Sequence, residues 1–151
     1  MKNVVRGLLF LFIFINSQLL HAAEFGTPKE AEAMVKKAAL LIQEKGEAAY
    51  AEISAAKGAF VDRDMYVYVT DLKGRVLAHG ATPKVVGKDI SDIRDPKGKY
   101  VMKEILKVAS TTGKGWIDYE WPNIITKTVE AKSTYFEKVG EVVIACGILK
   151  K

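Results

Sequence analysis

The spacing of apolar positions changes along this chain, and each change marks an element. Ala31, Met34, Val35, Ala38, Leu41 and Ile42 recur at three- and four-residue intervals, the stripe of one helix face. Thr27-Pro28-Lys29-Glu30 stands ahead of them with an N-cap, a proline suited to the first helical position and a capping-box acid, and Gly46 is a natural stop. A second, shorter helix is expected over residues 47–56, carrying Tyr50 and Ile53 and ended by Gly58. After Asp64 the period falls to two. Residues 65–70 and 75–79 read as strands, and Asp71-Leu72-Lys73-Gly74 between them reads as a turn. Residues 80–98, with Pro83, Gly87 and Pro96, form a long connection expected to wrap across the sheet. Residues 99–111 regain a helical apolar face in Val101, Ile105, Leu106 and Val108, which Gly113-Lys114-Gly115 closes. Three strands follow, at 116–121, 128–138 and 141–149, the last two joined tightly at Val139-Gly140. Residues 142–149 are apolar on both faces, so this strand is expected to be central and buried. The order predicts an α+β domain on a five-stranded antiparallel sheet.

The first residues follow a different logic. Lys2 and Arg6 precede an unbroken apolar run over 7–15, and His21-Ala22-Ala23 offers small residues for cleavage. That order is the secretory pattern, so residues 1–23 are expected to be a signal peptide and residues 24–151 one periplasmic domain. Asn16, Ser17 and Gln18 interrupt the run, whereas a spanning helix needs roughly 20 apolar residues. Leu19 and Leu20 extend it again, which keeps an uncleaved anchor as the alternative. Removing residues 1–23 takes two of the 23 basic residues and none of the 18 acidic ones, leaving 21 against 18, a net charge of about +3. The lysines are scattered rather than gathered on one face, so no nucleic-acid partner is expected. Cys146, the one cysteine, cannot form an internal disulfide, and stability must come from packing.

The chemistry available is narrow. His79 and Cys146 are the sole histidine and thiol after residue 23, too few for a familiar zinc site. Cys146 sits mid-strand in an apolar run, where a thiol is a core residue. There is no Gly-x-Ser-x-Gly elbow and no glycine-rich phosphate loop, and Asp92, Asp95 and Asp118 match no EF-hand spacing. Neither an enzyme nor a bound metal or cofactor is expected.

What remains is a concentration of aromatic and polar side chains on the β-elements: Tyr66, Tyr68, His79, Trp116, Tyr119, Trp121, Lys132 and Tyr135. The two-residue period puts Tyr66 and Tyr68 on one face of their strand and Tyr119 and Trp121 on one face of theirs. Aromatic walls with a few polar groups commonly line small-molecule pockets. If the Lys132 ammonium points inward, an anion would offset its desolvation cost, with tyrosine hydroxyls and His79 adding hydrogen bonds. The plainer reading makes the aromatics core and Lys132 a lysine snorkelling over apolar neighbours. Parity also separates Lys132 from Tyr135 unless a bulge intervenes.

The motifs fall in a recognisable order. Tyr66-Val67-Tyr68-Val69 and Asp71-Leu72-Lys73-Gly74-Arg75-Val76-Leu77-Ala78-His79 come first, then Val86-Gly87-Lys88-Asp89 and Asp95-Pro96-Lys97-Gly98. Gly115-Trp116-Ile117-Asp118-Tyr119-Glu120-Trp121-Pro122, Lys132-Ser133-Thr134-Tyr135 and Val143-Ile144-Ala145-Cys146-Gly147 complete the series. Together they resemble the single Cache domain, the extracytoplasmic sensor module of bacterial chemoreceptors and sensor kinases. The resemblance implies a PAS-like sheet with the long N-terminal helix on one face. On the other it implies a pocket covered by the loop and helix between the second and third strands. It implies short carboxylates as ligands, such as acetate, propionate, pyruvate or lactate. It also carries His79, Tyr119, Trp121, Lys132 and Tyr135 into the pocket; Tyr68, from the aromatic set, joins them as a candidate. One stretch departs from the family: Asn123 is followed by Ile124-Ile125-Thr126-Lys127-Thr128 where a proline and a Thr-Gly turn are common.

A receptor's domain would continue into a membrane helix and a signalling module, whereas this sequence stops at Lys151. The expectation is a free-standing periplasmic binding protein that captures a small organic acid and presents its bound state to a membrane receptor or kinase. The alternative is a ligand-free interaction module, with the N-terminal helix docking a partner or a second copy as a homodimer.

Overall fold

The computed structural model describes residues 25–123 and 126–150, so the expected signal peptide and the departure at Ile124-Ile125 lie outside the described residues. The first helix, α1 (Pro28–Lys45), begins at the foreseen capping box. The Thr27 hydroxyl accepts from the Glu30 N–H at 3.3 Å, and the Glu30 carboxylate accepts from the Thr27 N–H at 2.8 Å. Gly46, at φ 58°, ends it. The second helix is shorter than its period suggests: α2 spans Ala49–Ile53 after a 3-10 turn at Gly46–Ala48. Ser54 follows it, its hydroxyl accepting the His79 N–H at 3.1 Å.

The strands are β1 (Val61–Asp62), β2 (Met65–Asp71), β3 (Val76–His79), β4 (Lys114–Pro122), β5 (Val129–Val139) and β6 (Val142–Leu149), with α3 (Val101–Thr112) before β4. The sheet therefore has six strands, one more than expected. The addition, β1, pairs Val61 with Tyr66 and Asp62 with Met65, and two residues are too few to display a period. All pairings are antiparallel. The order runs β4–β5–β6–β2, and β3 and β1 pair with β2. As expected, β6 is central, and every one of its residues is buried.

Each face of this sheet carries its own core, because alternate residues point to opposite sides. On one face Val67, Val69, Ile144 and Ile148 pack against Ala31, Val35 and Ala38 of α1. Cys146 belongs to this core, its Sγ 3.8 Å from Met34 Sδ, and burial pushes its thiol up to about 12. It is an inert packing residue. The opposite face brings Phe136, Val143 and Ala145 against Met102, Ile105 and Ala109 of α3.

Two devices hold the long connection over that second face. The Arg75 guanidinium donates to the Gly87 carbonyl at 2.7 Å. Asp95 accepts the N–H groups of Lys97 and Lys99 through Oδ1, at 2.9 and 2.8 Å, and that of Glu120 through Oδ2 at 3.2 Å. The second carboxylate oxygen ties the connection to β4, next to Tyr119. The chain is thus pinned on both sides of residues 88–94.

Candidate functional site

Register decides which side chains meet. Tyr68 pairs with His79 and Ala145, Tyr119 with Lys132, and Thr134 with Gly147, so these residues look out from the α3 side of the sheet. Between that side and its cover lies a cavity of about 190 Å³. Tyr66, Tyr68, His79, Tyr119 and Trp121 supply its sheet wall. Thr82, Val85, Ile90 and Ile93 come from the long connection, and Val101 and Met102 from the first turn of α3.

The aromatic groups are fixed against one another. The His79 ring stacks on Tyr66 (centroids 5.0 Å apart, planes at 27°) and on Tyr68 (5.8 Å, 19°). Tyr119 and Trp121 meet edge to face at 5.8 Å. His79 Nδ1 accepts the Thr82 N–H at 2.9 Å, which leaves the ring proton on Nε2. Burial, with the Lys132 charge adding to it, depresses the His79 pKa to about 4. At neutral pH the imidazole is uncharged and Nε2–H is its donor.

Lys132 is the unusual member. The residue is 4% exposed, its Nζ donates to the Tyr66 hydroxyl at 3.2 Å, and the Nζ lies 4.2 Å from the Tyr66 ring centroid. Among the described residues no carboxylate forms an ion pair with it. Gly147 makes room for it: a Cβ there would stand 2.3 Å from Lys132 Cε and 2.5 Å from Thr134 Oγ1. Lys132 itself does not form the cavity wall but backs Tyr66, which does. Burial raises the phenols of Tyr66 and Tyr119 to about 12 and that of Tyr68 well above its usual value, so all three stay protonated. Because Tyr66 accepts from Lys132, its own O–H remains to donate into the cavity. Tyr119 shares a 2.8 Å hydrogen bond with Thr134.

Of the six residues singled out from sequence, Tyr68, His79, Tyr119 and Trp121 line the cavity, and Lys132 lies behind it on the same face. Tyr135 does not join them. Register runs without a bulge from Lys132 to Tyr135, so Tyr135 turns to the α1 face. There its ring lies 5.3 Å from Trp116, and its hydroxyl donates to Glu137 at 2.5 Å. Tyr66 was available by parity with Tyr68. The cover residues had no comparable signal, because Val85, Ile90 and Ile93 follow no period within a loop. Among the described residues no group of three metal-ligating side chains gathers, and no helix is long and apolar enough to cross a membrane.

On this face a buried lysine, with no carboxylate of the described residues paired to it, stands behind a wall of protonated phenols beneath a pinned cover. The sequence model of the family Single Cache domain 2 matches residues 21–149. This chain belongs to that family. Single Cache domains are extracytoplasmic, non-catalytic sensor modules that bind ligands for chemosensing. Methyl-accepting chemotaxis protein McpP of Pseudomonas putida is 34% identical over 76 residues, which is 50% of this chain and 14% of that protein. Among solved structures, the Cache chemosensory domain described under "Structural basis for carboxylic acid recognition" superposes with a TM-score of 0.70 at 23% identity. That match covers 82% of this chain and 92% of that one. A methyl-accepting chemotaxis protein from Vibrio parahaemolyticus gives 0.66 at 19% identity, over 80% and 86% of the two chains. At these identities the likeness shows the fold: the Cache/PAS-like sheet with its long N-terminal helix.

Proposed function

We propose that this Cache domain senses an organic acid in its ionised form, with Lys132 as counter-charge. The observation that carries the reading is the Lys132 ammonium, buried at 4% exposure with no carboxylate of the described chain paired to it. A desolvated charge of this kind is costly unless something of opposite sign arrives. A ligand carboxylate supplies that sign. The Tyr66 O–H, polarised by Lys132, and the Nε2–H of neutral His79 are the donors available to its oxygens. Tyr68, Tyr119 and Trp121 form the aromatic wall beside it. Carboxylic acid recognition by the structural neighbour supports the same class of ligand. Acetate, propionate, pyruvate and lactate are the first compounds to try. In this reading the domain works in the periplasm, its residues 1–23 serving as an export signal, and a membrane receptor or kinase reads its bound state.

Thermal-shift and calorimetric titration of propionate against propionamide checks the role of charge. The two share a shape and differ in ionisation. Propionate is expected to stabilise the protein in proportion to its occupancy, and the amide to do so far less. Equal stabilisation by the amide, or none by any small acid, would refute the reading.

A further inference from the structure

The cavity is larger than the short acids need, and its two walls differ in chemistry. At about 190 Å³ it exceeds the roughly 150 Å³ apolar cavity that accommodates a benzene ring. Tyr66, Tyr68, His79 and Tyr119 gather hydroxyls and an imidazole near Lys132, whereas Val85, Ile90, Val101 and Met102 offer only hydrocarbon and a thioether. Among the described residues no Asp, Glu, Lys or Arg lines the cavity. A second carboxylate would therefore find no cation, and an ammonium no acid. Resting on the carboxylate reading above, we propose that the preferred ligand is a monocarboxylate bearing a hydrocarbon body about the size of a six-membered ring. Dicarboxylates and amino acids are excluded.

The physical reason is burial. An acid of two or three carbons satisfies the polar groups and leaves much of the apolar surface of Ile90, Val101 and Met102 uncovered. Each additional methylene moved from water onto those walls raises affinity roughly threefold to fourfold. Five aromatic side chains of the sheet wall, Tyr66, Tyr68, His79, Tyr119 and Trp121, also offer ring faces and edges against which a ring packs better than a flexible chain.

Calorimetric titration at pH 7 with acetate, propionate, hexanoate, benzoate and cyclohexanecarboxylate tests this, with succinate and phenylalanine as charged controls. A ring acid is expected to bind at least tenfold tighter than acetate, and the two controls at least tenfold more weakly than the ring acid. Acetate or propionate binding as tightly as the ring acids would overturn this inference while leaving the carboxylate reading standing. Binding of no acid at all would remove both. Met102→Trp fills space at the apolar wall and should reverse the order, putting propionate above the ring acids. Since Met102 is buried, Ile93→Trp at the 41%-exposed rim repeats the test where folding is not at stake. An unchanged preference for ring acids in both variants would overturn the placement.

Discussion

Replacing Lys132 by methionine separates a ligand-holding charge from a structural one. Methionine is unbranched and of similar reach, so it can lie in the slot that Gly147 leaves along β6. In the empty protein the exchange removes a buried ammonium whose described partner is one phenol, with the Nζ 3.2 Å from Tyr66 Oη and 4.2 Å from its ring. Losing those two contacts costs about 1 kcal/mol each, and relief of the unpaired charge offsets them. The stability of the unliganded variant should therefore stay within about 1 kcal/mol of the parent. With ligand the balance differs. The bound carboxylate loses a buried charge that acts on it through the Tyr66 hydroxyl, worth about 1.5 kcal/mol, which is roughly tenfold in Kd. Urea denaturation without ligand and calorimetric titration with it read the two effects on the same samples. A variant that binds the acid within threefold of the parent would refute the role given to Lys132. A loss of several kcal/mol in the empty protein would show the lysine to be structural.

Further outcomes follow from the same geometry. Gly147→Ala sets a methyl group 2.5 Å from the stiff Thr134 side chain and 2.3 Å from Lys132 Cε, so denaturation should show a loss of about 1–3 kcal/mol and titration weakened acid binding. His79 titrates near its ordinary value of 6.5 when unfolded and at about 4 when folded, so the unfolded chain takes up the proton first. Its share of stability is complete above pH 6.5 and falls as the pH drops towards 4, by about 3 kcal/mol in all. Denaturation curves at pH 7 and pH 4 should show that loss, and His79→Gln should lack that part of it; equal losses in both proteins would contradict the assignment. Tyr135→Phe lies on the α1 face, so ligand affinity should change less than twofold. Stability should fall by about 1 kcal/mol or less with the Glu137 hydrogen bond; a large loss of binding would place Tyr135 back in the site.

Much of this architecture was legible because it rests on local signals. The capping box at Thr27 and Glu30, the glycine at 46, and the change to a two-residue period after Asp64 are each written within a few residues. The doubly apolar run at Val142–Leu149 announced a central strand, and parity alone placed Tyr68 with Tyr66 and Tyr119 with Trp121. Failures came where an element is too short to carry a pattern. β1 has two residues and pairs back onto β2 through a tight turn, and α2 has five.

The same division holds at the site. By itself the sequence determined the order of the longer elements, the α+β class, the scarcity of catalytic and metal-binding residue types, and the set of side chains able to build a polar aromatic pocket. Only the tertiary structure decided that Lys132 is buried with no carboxylate of the described residues paired to it, that Tyr135 belongs to the opposite core, and that Ile90, Ile93 and Met102 line the cavity. The physical reason is range. Capping and periodicity act over one or two turns of chain, whereas burial, desolvation and register depend on which strand lies alongside which. For Lys132, that neighbour is β6 with its glycine at 147, a contact that spacing along the chain does not encode.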